Sequence, residues 1–169
     1  NSHPGFTTRQ LSRWARQVHL GFPEAALMLK PGRNTEILSL GNPIRPPDLN
    51  IDPVQAREGF GLSADAVVLL VVGGSQGARA VNETLLAALE KVASGAFDAR
   101  PPALEILWAT GPTHIDSIRE RLAPLNLQWV KAYGYIDNMP DALAATDVAV
   151  SRAGAMATAE LLAWGRPML

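Results

Sequence analysis

Cysteine is absent from the 169 residues, which excludes disulfides and thiolate metal sites and fits a reducing compartment, with the cytosol as the default location. Neither sign of charge is in excess. Fifteen Lys and Arg stand against 16 Asp and Glu with no long run of either, so the composition offers no electrostatic grip on a nucleic acid backbone, and nucleic acid is not expected as a partner. No apolar run approaches the roughly 20 residues of a spanning helix, and no basic start leads into an apolar signal core. Internal repeats and low-complexity tracts are also lacking. What is present is a composition 47% apolar, that of a buried globular core.

The chain begins at Asn1 rather than Met, and "WGRPML" closes it on Pro167-Met168-Leu169, which reads as the opening of a further buried strand; both are expected of a fragment of a longer protein. From Thr7 to Phe22 the residues Leu11, Trp14, Ala15, Val18 and Phe22 recur at spacings of three and four, which predicts one helix ended by Pro23. "AALML" and "EILSL" follow as two short apolar pieces around the turn Lys30-Pro31-Gly32-Arg33-Asn34. The proline-rich "GNPIRPPDLNIDP" cannot hold regular helix or a central strand, and a domain boundary is expected near residues 41–53.

Beyond it strands and helices alternate. Strands are expected at Val67–Val72, "LEILWAT", Gln128–Ala132 and Val148–Ser151. Helices are expected at about Ala78–Ala93, with Val81, Leu85, Leu89 and Val92 on one side, at Ile115–Leu122, around Pro140–Ala145, and at Gly154–Trp164. Such alternation implies a parallel sheet covered on both faces, with ligands at the carboxyl ends of its strands.

Two corners in this series carry the chemistry. In "VVLLVVGGSQGARAVNETL" a buried strand stops at Gly73-Gly74-Ser75-Gln76-Gly77 and a helix starts at once, which sets free backbone N–H groups and the positive helix end at the crevice, with the serine adding a hydroxyl donor. This suits a phosphate; the plainer alternative is that Gly73 and Gly74 only make a tight turn. A nucleotide-hydrolysing loop fails because Ala78-Arg79 follows Gly77 where Lys and Ser or Thr are needed, and NAD is a poor second because the next strand ends in Ala109-Thr110-Gly111 with no carboxylate for a ribose. At "VAVSRAGAMATAELLAWG" a second strand feeds Ser151, Gly154 and a helix. Glu160 lies about 9 Å along that helix from Gly154, and its two oxygens can accept from two ribose hydroxyls, or it is a solvated helix glutamate.

The ordered set "NSHPGFTTRQLSRWA", "FPEA", "GNPIR", "VVGGSQGARAVNETL" and "GYIDNMPDALAATDVAVSRAGAMATAELLAWGRP" closely resembles the MurG-type glycosyltransferases of peptidoglycan synthesis, over nearly the whole chain. The resemblance implies an α/β GT-B fold of paired Rossmann-like lobes, with residues 1–42 the tail of the amino-terminal acceptor lobe, 43–66 an interlobe linker and lead-in, and 67–169 a truncated carboxyl-terminal UDP-sugar lobe. It implies UDP-N-acetylglucosamine as donor and transfer with inversion to the muramyl 4-hydroxyl of a polyprenyl-diphosphate acceptor, lipid I, giving lipid II. No cofactor and no metal are implied, and no Asp-x-Asp motif is visible.

Carried over residue by residue, Ser75 matches a loop serine at the donor phosphate, framed by Gly73, Gly74 and Gln76, and Arg45 matches an arginine at the bound nucleotide. Ile136 matches the position whose backbone N–H and C=O read the uracil edge. Ala155, Met156 and Thr158 match the helix start near diphosphate and sugar, Glu160 the ribose ligand, and Asn1 an asparagine at the lip of the amino-terminal lobe. Ala153 stands where the family often has serine. No catalytic residue is implied within the chain. His3, His19 and His114 read as surface residues, His19 on the first helix, and the acceptor site, candidate base and apolar membrane patch belong to a lobe that the chain lacks. The expected setting is cytoplasmic, peripheral on the inner membrane. A donor-binding subunit of a split transferase, disfavoured by the first 42 residues, and a sugar-nucleotide epimerase are the other readings.

Overall fold

The computed structural model describes residues 2–96 and 103–169, which form two compact units, Asn1–Arg45 and Pro46–Leu169. No helix among the described residues is long and apolar enough to cross a membrane.

In the first unit the single helix expected over residues 7–22 is replaced by a short helix α1 (Phe6–Leu11) and a strand β1 (Gln17–Leu20). Two periods overlap here. Val18, Leu20 and Phe22 also alternate with polar Gln17 and His19, and the alternation wins because β1 pairs in parallel with β2 (Glu36–Ser39). The break after α1 is held from a distance: Thr35 Oγ1 lies 3.2 Å from the Ser12 carbonyl oxygen and 2.7 Å from that of Ala15, and accepts from Gly32 N at 3.1 Å. His19 is therefore an exposed strand residue rather than a helical one, and Trp14 is 75% exposed. Pro23 does not end a helix but opens a 3₁₀ turn, Pro23–Met28, that holds most of "AALML". Leu20, Ala25 and Leu29 make the small core of this unit.

The second unit opens with α2 (Pro53–Gly59), absent from the expectations above although its signal is local: Asp52 Oδ1 caps Val54 N at 2.8 Å and Pro53 takes the first turn, where a missing N–H costs nothing. The series β3 (Val67–Val72), α3 (Arg79–Ala93), β4 (Leu104–Ala109), α4 (Ile115–Leu122), β5 (Val130–Tyr133), α5 (Met139–Ala145), β6 (Val148–Ser151) and α6 (Ala155–Ala163) then follows. The four strands form one parallel sheet in the order β5-β4-β3-β6, and Met168 adds a parallel bridge to Ala149 outside β6. Alternate residues of β3 serve opposite faces. Val68, Leu70 and Val72 pack with Leu143 of α5 and Leu161 of α6; Val71 packs with Leu86 and Leu89 of α3 and Ile118 of α4. A sheet covered on both faces needs such unbroken Val and Leu strands.

The buried stripe of α3 runs through Asn82, Leu86 and Leu89, with Val81 and Leu85 at its margin, so the buried face is turned about one residue from the expected one. The cause is that Asn82 is buried at 3% exposure despite its polar side chain.

Helix α5 shows how the lower half of the sheet is secured. Its last residues are all buried, so the four terminal carbonyls that a helix leaves open need partners. Thr146 Oγ1 donates to Ala142 O (2.6 Å), Arg166 to Leu143 O (2.9 Å) and Ala144 O (3.1 Å), and Arg57 of α2 to Ala145 O (3.2 Å). Two guanidinium groups thus sit at the negative end of a helix dipole. Arg57 also spans both oxygens of Asp147 at 3.2 Å, and Asp147 accepts from Val68 N at 2.8 Å, which joins α2, α5 and the start of β3.

Candidate functional site

After β3 the chain runs to α3, β4, α4 and β5 on one side, then returns to place β6 against the other edge of β3. The direction of winding therefore reverses between β3 and β6, and at such a point the two loops leaving the carboxyl ends part and open a crevice. Val72 pairs with Ser151, so the loops Gly73–Ala78 and Arg152–Gly154 start side by side.

The first loop is a turn closed by Gly77 N donating to Gly74 O at 2.9 Å. Its glycines have different reasons. A Cβ on Gly73 would strike Ala78, and one on Gly77 would strike the Thr110 carbonyl, so both serve close packing, and Gly77 also has a φ of +75°. Gly74 has φ +93° and open space where a Cβ would stand, so it serves the backbone conformation alone. The turn reading thus accounts for these three glycines, but not for Ser75 and Gln76, which are exposed beside the crevice.

Both helices leaving the crevice lack a capping side chain. Ala78 precedes α3 and Gly154 precedes α6, neither supplies a side-chain acceptor, and neither first turn holds an acidic residue. Two helices that leave adjacent strands without a capping side chain turn the positive ends of their dipoles to the crevice, which favours an anion there. On α6, Ala155 and Thr158 are half-buried and Met156 is 42% exposed. Glu160 is half-buried, and its carboxylate has no hydrogen bond or ion pair among the described residues.

Ile136 lies in the loop after β5, two strands from β3 along the same sheet edge. The residue as a whole is 3% exposed, with its side chain in the core cluster of Leu62 and Leu107, and its N–H and C=O have no hydrogen-bond partner among the described residues. A buried main-chain N–H and C=O without protein partners are one donor and one acceptor left to be satisfied. Arg45 is exposed at the end of the first unit, and Asn1 lies outside the described residues.

Sequence reasoning missed Thr110 and Asn82. Thr110 has no exposed surface and lies between the loops of Ser75 and Ile136; the one available signal was a polar residue, Asn82, on the apolar stripe of α3. A separate groove of about 460 Å³ runs along β5, lined by Arg119, Lys131 and Tyr133 among others, away from the switch point.

A parallel sheet with helices on both faces and a switch point between β3 and β6 defines a Rossmann-like α/β domain. Residues 68–169 match the glycosyltransferase family 28 C-terminal domain, and the chain belongs to that family. It is 34% identical, over 99% of its length, to a UDP-N-acetylglucosamine-N-acetylmuramyl-(pentapeptide) pyrophosphoryl-undecaprenol N-acetylglucosamine transferase of Desulfitobacterium hafniense, and 38% identical to the protein of the same name from Chlorobium luteolum. It spans 44% and 42% of those proteins, less than half of each. Among solved structures it resembles Acinetobacter baumannii MurG at 24% identity, covering 98% of this chain and 42% of that one, with a TM-score of 0.56. It also resembles Anabaena HepE in complex with UDP and glucose at 16% identity, covering 96% and 46%, with a TM-score of 0.55. These likenesses establish the α/β fold with its parallel sheet.

Proposed function

We propose that the chain is the donor-binding part of an inverting N-acetylglucosaminyltransferase of peptidoglycan synthesis, which moves N-acetylglucosamine from UDP to lipid I. The observation that carries this reading is the pair of uncapped helix starts at the β3/β6 switch point, set in a chain 34–38% identical to transferases of that name. The diphosphate takes the N–H groups of the Gly73–Ala78 loop and the start of α6, with Ser75 donating from its hydroxyl. Gly73, Gly74 and Gln76 frame it, and Ala155, Met156 and Thr158 face the diphosphate and sugar. The Ile136 main chain reads the uracil edge, where one donor and one acceptor suffice to tell a base from its rivals. Glu160 accepts from the ribose hydroxyls. Arg45 contacts the nucleotide, and Asn1 belongs to the lip of the acceptor lobe.

In this reading residues 1–42 are the tail of the acceptor lobe, 43–66 an interlobe linker and a lead-in that carries α2, and 67–169 the truncated donor lobe. Acceptor binding, the catalytic base and contact with the cytoplasmic face of the membrane lie in the other lobe. In this reading the helix ends and loop amides stabilise the charge that develops on the leaving diphosphate, and no metal ligand set is invoked.

The experiment is a transfer assay with a full-length enzyme containing these residues, UDP-N-acetylglucosamine and the polyprenyl-linked muramyl peptide. UDP release that depends on the acceptor is the expected result. Consumption of the sugar nucleotide at equal rates without acceptor would contradict transfer.

A further inference from the structure

Three loops leave the carboxyl edge of the sheet side by side, and the middle one touches both of the loops assigned above to phosphate and base. Thr110 follows β4 and has no exposed surface. Its carbonyl accepts from Asn82 Nδ2 at 2.7 Å, and Asn82 Oδ1 accepts from the indole N–H of wholly buried Trp108 at 3.1 Å. With a donor-only indole on one side and an acceptor-only carbonyl on the other, the amide has one orientation that satisfies both. The carbonyl held in this way is the surface on which the phosphate-facing loop rests: a Cβ on Gly77 would strike Thr110 O, and one on Gly111 would strike the Gln76 carbonyl.

Toward the other loop, Thr110 N donates to Tyr133 O at 2.9 Å, and Thr110 Oγ1 lies 3.1 Å from that same oxygen and 3.1 Å from Gly111 O, so its one proton is shared between the two carbonyls. Tyr133 is the last residue of β5 and leads directly into the segment that carries Ile136. An apolar residue at 82 would pack as Leu86 and Leu89 do, without the cost of burying an amide. What it would not do is hold a strand-end carbonyl in place.

We propose that Thr110, oriented by Asn82, is a positioning residue that sets the spacing between loop 73–77 and loop 134–138, so that a nucleoside diphosphate engages both at once. The proposal rests on the donor-site reading above. Neither side chain touches the ligand. A ligand bound through its base alone is indifferent to the spacing, whereas one bound through base and diphosphate is not.

The test titrates the chain with UDP and, separately, with uridine, read from backbone amide resonances, for wild type, Thr110→Val and Thr110→Ser. Valine keeps the volume and leaves Tyr133 O its backbone donor; serine keeps the hydroxyl. Thr110→Val is expected to weaken UDP binding about fivefold while uridine changes by no more than about twofold, and Thr110→Ser to return UDP to within about twofold of wild type. Asn82→Leu is expected to show the same selective loss; should that variant not fold, the two Thr110 variants decide alone. Equal losses for UDP and uridine, or serine no better than valine, would overturn the positioning role. Wild-type UDP binding matched by Thr110→Val would overturn it too and leave the donor site standing. A wild-type chain that binds no UDP would remove the donor-site reading and the positioning role with it.

Discussion

In a full-length transferase containing these residues, Ser75→Ala is expected to lower kcat/KM for UDP-N-acetylglucosamine on the order of 10- to 150-fold, with the fold intact. The size follows from the bond that is lost: a hydroxyl donating to a charged phosphate is worth about 1.5 to 3 kcal/mol. The intact fold follows from the loop. Ser75 is exposed and its side chain has no protein partner among the described residues, while the turn is made by Gly74, by Gly77 and by the bond between them. Alanine therefore removes a ligand contact and little else. Steady-state kinetics of the purified variant with a matched thermal melt checks both halves, and an unchanged kcat/KM would return Ser75 to the status of a turn residue.

Glu160→Ala is expected to abolish most of the preference for a ribose donor over its 2′-deoxy analogue. In the wild type the analogue leaves one carboxylate oxygen without its hydroxyl, and a charge-assisted bond is worth about 1.5 to 3 kcal/mol, so discrimination on the order of 10- to 150-fold is expected. The variant has no carboxylate to leave unpaired. Glu160→Gln is expected to fall between, since one oxygen remains as an acceptor and the other is replaced by an amide donor facing a hydroxyl. The measurement is a cycle of two enzymes against two donors, which separates the coupling from general damage to α6. The half-buried and unpartnered state of this carboxylate favours the ligand reading over that of a solvated helix glutamate. A ribo-to-deoxy ratio that is the same in wild type and Glu160→Ala would remove Glu160 from the site.

The second unit was far more legible in the sequence than the first, and the reason is physical. Strand β3 is buried on both faces along most of its length, so its Val and Leu run has no competing reading; β6 is only partly buried, but its short Val-Ala-Val piece stands directly before the Ser-Arg-Ala-Gly corner, and both strands were placed to the residue. Residues 7–22 have two readings, because spacings of three and four and of two share Val18 and Phe22, and the choice is made by pairing with Glu36–Ser39 and by the Thr35 hydroxyl, both far along the chain. Helix α2 was legible but overlooked: Asp52-Pro53 is a helix start in its own right, obscured by the prolines before it. The glycine corner and its neighbour were placed by pattern alone, since a strand ending in glycine before a helix is a local signal. The support beneath them was not. Asn82, Thr110 and Trp108 are joined by tertiary contact, and Ile136 entered only through the family resemblance, because a main-chain role leaves no side-chain pattern.

The central claim is that a uridine diphosphate occupies the switch point between β3 and β6. Titrating UDP into the uniformly labelled chain and following each backbone amide tests it most directly. The predicted result is saturable shifts at Gly74, Ser75 and Gln76, at Ile136, and at Ala155, Met156 and Thr158, all fitting one dissociation constant. Shifts confined to the groove of Arg119, Lys131 and Tyr133 along β5, or no shifts at all, would contradict it.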